Sequence, residues 1–377
     1  MDRDLSHKNN YIFVFIEVFA CEGGIQSYVK DIFGACSTLD KDISGDVFLL
    51  RDTPNPENPY VSKNLNFHYF KSSSPQVGRV RMATALLLHI LRQRPSHVFC
   101  GHINLAPLIS ILCHSLNIPY TVITYGKEVW EPLTPRAKTS LQKAAGLWTI
   151  SRYTRKLACG VNQLDEPKFK ILPPAIDGDR LTPGEKSPAL LERYGLTGKK
   201  VLMTVARLWS GDIYKGVDVT IRALGKIAEV FPEVKYLVIG RGDDQPRLAK
   251  LAEDLGVSDR VVFAGFVPNS ELIDHYRLAD AYVMPSQEGF GIVYLEAMAC
   301  GIPVLSGDND GSADPLQDGK LGWQVPYRDE NAVAQACIEM LTGKDQRCDG
   351  EWLREQAIAY FGMDGFQRRI KEAILGV

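Results

Sequence analysis

Ala281-Tyr-Val-Met-Pro-Ser-Gln-Glu-Gly-Phe-Gly-Ile-Val-Tyr-Leu-Glu-Ala-Met-Ala-Cys-Gly-Ile-Pro-Val-Leu305 reads as strand, loop, helix and strand in quick succession. Ala281–Met284 is a short apolar run stopped by Pro285, the signature of a buried strand. Gly289 and Gly291 punctuate a loop, and a helix starts near Ile292. Ile292, Leu295 and Ala299 then fall on one helical face. Gly301 and Pro303 end the helix, and Pro303-Val-Leu305 opens the next strand. Two strands joined by a helix in so few residues form the βαβ unit of a parallel sheet.

The same alternation runs outward in both directions. Upstream of Ala281 lie strands at Val201–Val205, Lys235–Ile239 and Arg260–Phe263. Helices at Val217–Val230, Gln245–Leu255 and Ser270–Tyr276 separate them. Downstream come a strand at Gly322–Val325 and a helix at Glu330–Leu341. Nearer the start, strands read at Tyr11–Ile16, Asp46–Leu50, Asn66–Phe70, His97–Cys100, Tyr120–Thr124, Trp148–Ile150 and Phe169–Leu172. Helices read at Ile25–Thr38, Arg79–Arg94 and Leu105–Leu116. Nearly continuous apolar strands alternating with helices predict parallel sheets covered on both faces. Between the two runs, Leu172–Gly184 packs three Pro and two Gly together, as linkers do. The fold class is therefore α/β, two Rossmann-like doubly wound domains facing a central cleft. The expected bounds are 1–180, 181–355 and a C-terminal helix at 356–377 that returns to the first domain.

Composition narrows the class. The 377 residues carry 43 Lys+Arg and 45 Asp+Glu, a net charge of −2, which disfavours nucleic acid as a partner. No uncharged apolar run is long enough to span a bilayer. The start lacks the basic and small-residue pattern of a secretory leader. The eight Cys show no C-x-x-C spacing and read as small core residues of a reducing compartment. No metal cluster and no bound cofactor are expected. Asp-x-Asp pairs occur at 40/42, 177/179 and 308/310, each in a turn-like segment.

Ligands of open α/β sheets bind beyond the C-terminal strand ends, and the chemistry-bearing residues cluster there. Glu288, Gly289, Phe290, Gly291 and Ile292 follow one strand. The helix start they form offers free N–H groups and a positive dipole end to an anion. Glu296 follows on the second turn, with seven residues between the two acids. Carboxylates on either side of an anion site suit a ligand with hydroxyls flanking phosphates, such as a sugar nucleotide. Arg207 and Lys215 follow another strand and can stabilise a departing phosphate without a metal. Gly23-Gly24 follow the first strand and permit close backbone approach. His102 follows the strand at 97–100. Tyr125, Lys127 and Glu128 follow the strand at 120–124. Gly240-Arg241-Gly242 resembles a dinucleotide fingerprint, but Gln245 occupies its third glycine position. Arg241 is instead assigned to the nucleotide pocket.

The segment around Glu288 and Glu296 resembles the E-x7-E motif of retaining GT-B glycosyltransferases of family 4. Gly23-Gly24-Ile25, Thr204-Val-Ala-Arg-Leu208, Lys215-Gly-Val-Asp218, Val238-Ile-Gly-Arg-Gly242, Phe263-Ala-Gly-Phe-Val-Pro268 and Leu172-Pro-Pro-Ala-Ile-Asp177 extend the resemblance over almost the whole chain. It implies hexosyl transfer with retention from a nucleotide-sugar, UDP favoured and GDP open, to a saccharide or lipid-linked acceptor. Envelope polysaccharide or glycolipid assembly is the implied setting. Glu288, Arg207, Lys215 and His102 would be catalytic. Gly23, Gly24, Arg241, Val267, Gly289, Phe290, Gly291, Ile292 and Glu296 would bind the donor, and Tyr125, Lys127 and Glu128 would lie on the acceptor side. Neither a metal nor a resident cofactor is required. A sugar-nucleotide epimerase, a phosphorylase and a non-catalytic sugar-nucleotide binder are the alternatives on this architecture.

The charge is unevenly spread. Residues 1–180 hold 21 basic and 16 acidic residues, net +5; the remainder hold 22 and 29, net −7. Residues 58–127 contain no acid, seven Lys/Arg and five of the seven His. The Arg79–Arg94 helix has basic ends and an apolar body. It reads either as a crossover helix with snorkelling ends or as a surface for anionic lipid. The expected location is cytoplasmic, peripheral on the inner face of the cytoplasmic membrane.

Overall fold

The computed structural model describes residues 9–37, 43–54, 58–61 and 64–376. The chain divides into two compact units, one holding the residues up to Ala175 together with Asp364 onward, the other Ile176–Met363.

The first unit contains β1 (Asn9–Phe15), α1 (Gly24–Ser37), β2 (Ile43–Leu49), β3 (Leu65–Tyr69), α2 (Pro75–Gln93), β4 (His97–Cys100) and α3 (Ala106–Leu116). It continues with β5 (Tyr120–Thr124), α4 (Pro135–Lys143), β6 (Gly146–Thr149), α5 (Arg152–Asn162) and β7 (Phe169–Ile171). Its seven strands pair in the order β3-β2-β1-β4-β5-β6-β7, all parallel. Chain order reverses between β1 and β4, so the loops leaving those two strands diverge and open a binding position. One sheet face is aromatic: Phe13 stacks on Phe99 at 4.9 Å, and Phe99 meets Trp148 at 4.8 Å. Burying each such ring fully stabilises the fold by roughly 2–3 kcal/mol.

The second unit contains α6 (Pro188–Arg193), β8 (Lys200–Val205), α7 (Val217–Val230), β9 (Val234–Ile239), α8 (Gln245–Asp254), β10 (Val261–Gly265), α9 (Leu272–Tyr276) and β11 (Ala281–Val283). There follow α10 (Ile292–Ala299), β12 (Val304–Gly307), β13 (Trp323–Val325), α11 (Glu330–Thr342) and α12 (Gly350–Phe361). Its six parallel strands run β10-β9-β8-β11-β12-β13, with the reversal between β8 and β11. The final helix, α13 (Met363–Leu375), contributes residues from Asp364 onward to the first unit.

The unit bounds differ from the sequence expectation at both ends. The first crossing falls at 175/176, inside the Pro-rich linker. The return falls at 363/364, because α12 is held to the second unit. Arg354 donates to Ala299 O at 2.7 Å and Gly178 O at 2.6 Å, and Phe361 packs edge-on against Phe290. Phe366 on α13 packs edge-on against Tyr28 of the first unit, 5.8 Å away.

Three helices, α4, α5 and α6, escaped the sequence reading. Each starts at a capping side chain: Thr134 Oγ1 accepts from the Ala137 amide, Ser151 Oγ from the Thr154 amide and Ser187 Oγ from the Leu190 amide. Helix α2 begins four residues before the expected Arg79, at the Ser74-Pro75 start signal. It ends where Arg94 turns left-handed at φ 45°.

Candidate active site

The carboxyl ends of β8, β11 and β12 carry three loops that lock together. The Gln287 amide donates to Tyr214 O at 3.1 Å. The Glu288 amide donates to Asp310 Oδ2 at 2.6 Å, and the Gly311 amide returns to Glu288 O at 2.8 Å. Both backbone groups of Glu288 are thereby satisfied, and its position is set from two sides. Gly216 makes this approach possible: at φ 73°, a Cβ there would sit 2.4 Å from Pro285 O.

Glu288 meets the Lys215 ammonium in an ion pair whose side chains are about one-fifth exposed. Asp310 is buried, and Ser312 donates to it from both its amide and its hydroxyl. Burial pushes the Asp310 carboxyl up to about 7 against those donors. Arg207 Nε donates to buried Asp212 at 2.6 Å, while the Arg207 side chain stays two-thirds exposed with its guanidinium over Trp209. Arg207 and Lys215 line one shallow pocket with Asp212, Asp218, Asp244 and Arg247. Asp212 holds Arg207, Asp244 holds Arg247 and Glu288 holds Lys215, so all three cations are oriented before any ligand arrives.

Gly291 caps α10 at φ 87°; the Tyr294 amide donates to its carbonyl at 3.1 Å, and the Ile292 and Val293 amides before it have no intrahelical acceptor. Glu296 sits further along α10 and accepts from the Tyr276 hydroxyl at 2.7 Å. Burial raises its carboxyl above the ordinary value. Phe290 lies between the two glycines of this loop. Its side chain is buried against Phe361, so it offers a ligand only backbone. Ile292 and Gly289 are half-buried beside it, and Val267 is buried. Arg241 is exposed and lies over the Phe266 ring at 4.8 Å.

In the first unit the corresponding strand ends are those of β1, β4 and β5. Gly23 and Gly24 are exposed at the start of α1. Asp52, fully buried, holds the approach to them: its carboxylate accepts from the amides of Val18, Phe19 and Ala20 at 2.7–2.8 Å. Nothing in the local sequence pattern marks Asp52. His102 Nδ1 accepts from the Asn104 amide at 3.1 Å, which leaves the proton on Nε2. Burial lowers its pKa, so the ring is a neutral donor at pH 7.

Tyr125 turns inward. It is 6% exposed and its hydroxyl is spent on Gly101 O at 3.0 Å, so it supports the His102 loop from below. Glu128 turns back to accept from the Tyr125 and Gly126 amides at 2.5 and 3.2 Å. Lys127 is exposed. Of the Asp-x-Asp pairs, 40/42 lies outside the described residues. Asp177 caps its own turn through the amides of Asp179 and Arg180, and Asp310 is occupied as above.

Two Rossmann-like parallel-sheet units with anion-directed groups at the strand ends define a GT-B glycosyltransferase fold. The profile of the family described as glycosyl transferases group 1 matches residues 189–351. A GDP-mannose-dependent alpha-(1-6)-phosphatidylinositol monomannoside mannosyltransferase of Mycobacterium tuberculosis is 32% identical over 268 residues, 67% of this chain and 68% of that protein. The enzyme of the same name from Mycolicibacterium smegmatis is 35% identical over 232 residues, 58% of this chain and 59% of that protein, so that match spans less than two thirds of its length. Anabaena HepE, solved in complex with UDP, superposes with a TM-score of 0.77 at 17% identity, covering 98% of this chain and 100% of that one. The chain belongs to the glycosyl transferases group 1 family.

Proposed function

We propose that the protein transfers a hexose from a nucleotide-sugar to a saccharide or lipid-linked acceptor in glycolipid or envelope polysaccharide assembly, with retention at the anomeric carbon. The observation that carries this reading is the pairing of Lys215 with Glu288 at the second unit's strand-order reversal, beside Arg207 and the α10 start.

The chemistry follows from charge. Breaking the glycosidic bond leaves negative charge on the diphosphate. Arg207, Lys215 and the α10 amides offset that charge with donors already in place. Lys215 would exchange Glu288 for phosphate, which frees the Glu288 carboxylate for donor-sugar hydroxyls. Glu296, oriented by Tyr276, takes the ribose. Arg241, Val267 and the Gly289–Ile292 backbone complete the donor pocket. On the first unit, the His102 Nε2–H is suited to a sugar hydroxyl, and the exposed Gly23-Gly24 backbone to a close polar approach. Acceptor attack on the leaving-group face lets the departing phosphate take the acceptor proton. Neither a protein base nor a metal is then needed.

The names of the mannosyltransferase relatives move GDP-mannose to the head of the donor candidates, ahead of UDP-sugars. Donor hydrolysis and transfer are measured across a panel of GDP- and UDP-sugars, with and without chelator. Activity that survives Glu296→Ala and Arg207→Ala unchanged overturns the assignment.

Membrane-surface binding belongs to the same reading. Helix α2 buries Gly78, Met82, Leu86 and Ile90 while exposing Val77, Val80, Leu87, Leu88 and Leu91 among four arginines. An apolar stripe rimmed by cations matches an anionic lipid surface. Peripheral attachment at the inner membrane face follows. Among the described residues no helix is long and apolar enough to cross a membrane.

A further inference from the structure

Away from the strand ends, three metal-ligating side chains converge on the first unit. Asp46 on β2, His68 on β3 and His89 on α2 come from three different elements. His68 Nε2 lies 2.9 Å from Asp46 Oδ1, and His89 Nε2 lies 3.0 Å from Asp46 Oδ2. Their ligand atoms all fall within 4.8 Å of one another. The parallel register explains the meeting. Phe48 on β2 stands opposite His68 on β3, and Asp46 shares the Phe48 face. Helix α2 covers that face and delivers His89.

The rings are braced. Phe48 lies 4.7 Å from the His68 ring and 5.4 Å from the His89 ring, and the two imidazoles meet edge-on at 5.6 Å. Asp46 is largely buried, while the His68 side chain keeps 38% exposure, so solvent reaches the cluster from one side.

We propose that Asp46, His68 and His89 form a site for a divalent transition metal of the zinc class. Two imidazoles and one carboxylate are an N2O donor set, which suits Zn2+, Co2+ or Ni2+ better than Mg2+ or Ca2+. Tetrahedral zinc with bonds of ~2.0–2.1 Å sets its ligand atoms about 3.3 Å apart. His68 lies 2.9 Å from one carboxylate oxygen and His89 3.0 Å from the other, so binding through a single oxygen needs a side-chain rotation to reach that spacing. Three protein ligands leave a fourth position for water. Coordination uses the Nε2 lone pairs, so each neutral ring shifts its N–H proton from Nε2 to Nδ1. The two hydrogen bonds to Asp46 are exchanged for bonds to the metal, with no redox step. The bound ion joins β2, β3 and α2 at one point and so braces the helix that carries the exposed apolar stripe. The site is independent of the transferase reading.

The test uses the full chain, stripped with chelator and exchanged into metal-free buffer. Zn2+ is titrated by calorimetry, and Co2+ by its visible ligand-field absorption. The expected result is one saturating equivalent with a tetrahedral Co2+ spectrum. Binding should weaken at least ~10-fold in the double variant His68→Gln/His89→Gln, since loss of outer-shell support alone costs about 10–100-fold. Circular dichroism checks that variant's fold. His68→Asn, at the more exposed ligand, serves if the double variant does not fold. Wild-type protein without saturable binding overturns the proposal, as does folded variant protein that binds as tightly as wild type. The cluster is then a hydrogen-bonded tie only.

Discussion

Lys215 and Glu288, 73 positions apart, close an ion pair beneath the loops of the second unit. The pair joins the loop after β8 to the loop after β11, the two strands between which chain order reverses. Lys215→Ala removes the ammonium assigned to the leaving phosphate and leaves Glu288 unpaired. We expect kcat for hexosyl transfer to fall ~10²–10³-fold, the usual cost of losing a group aimed at developing charge. Steady-state transfer assays measure it. Unchanged kcat would remove Lys215 from the machinery.

Asp310 supplies a pH signature. Its carboxyl titrates at about 7 in the fold against an ordinary 3.8, chiefly through burial. The folded state therefore holds this proton more tightly than the unfolded chain. The associated stability is complete below about pH 4 and is lost as pH rises through 7. Compared with Asp310→Asn, the wild type should lose stability between pH 4 and 7, on the order of 4 kcal/mol as an upper limit. Urea denaturation across that range reads the difference. Parallel curves for the two proteins would refute it.

Tyr276→Phe removes the hydroxyl that orients Glu296 while leaving the ring's packing. A hydrogen bond of this kind is worth ~1 kcal/mol, or about fivefold. The expected effect is a donor KM raised about fivefold with kcat little changed, since the ribose does not react. An equal fall in kcat would place Glu296 closer to the chemistry.

Asp52→Ala strips the acceptor from three backbone amides at Val18–Ala20. Destabilisation of about 2 kcal/mol is expected, because the buried Val18 amide loses both partner and water while those of Phe19 and Ala20 are nearer solvent. Asp52→Asn keeps one acceptor and should recover part of the loss. Chemical denaturation of both variants decides this.

The outer face of α2 gives a lipid prediction. Vesicles containing anionic phospholipid should co-float wild-type protein at low salt and release it at high salt. Leu87→Glu with Leu91→Glu should abolish flotation without unfolding the protein, since both side chains face solvent. Equal flotation on neutral vesicles would sink the idea.

Much of the fold was legible because its signals are local. The run from Ala281 to Leu305 carries a strand, a capping glycine and a helix face that neighbouring residues suffice to define. Helices α4 and α5 were not legible, because short polar helices rest on their caps and on packing. The orientation of Phe290 and Tyr125 was hidden for a related reason. Being next to a ligand loop does not say which way a side chain turns, and both turn inward. Asp52 and Tyr276 carried no mark, and Asp310 only that of a turn carboxylate, since the amides of Val18–Ala20, the Glu296 carboxylate and the Glu288 amide that they hold lie in distant segments.

By itself the sequence determined two runs of parallel-sheet α/β structure, the strand-end loops that hold Arg207, Lys215 and Glu288, the helix that carries Glu296, and a basic acid-free stretch. Periodicity and turn chemistry are written in near neighbours, so they survive without a fold. Tertiary structure alone decided that Lys215 holds Glu288, that Asp310 fixes the Glu288 backbone, and that Asp46 collects two histidines from the acid-free stretch. Those relationships depend on strand order and register, which bring together residues that no local pattern connects.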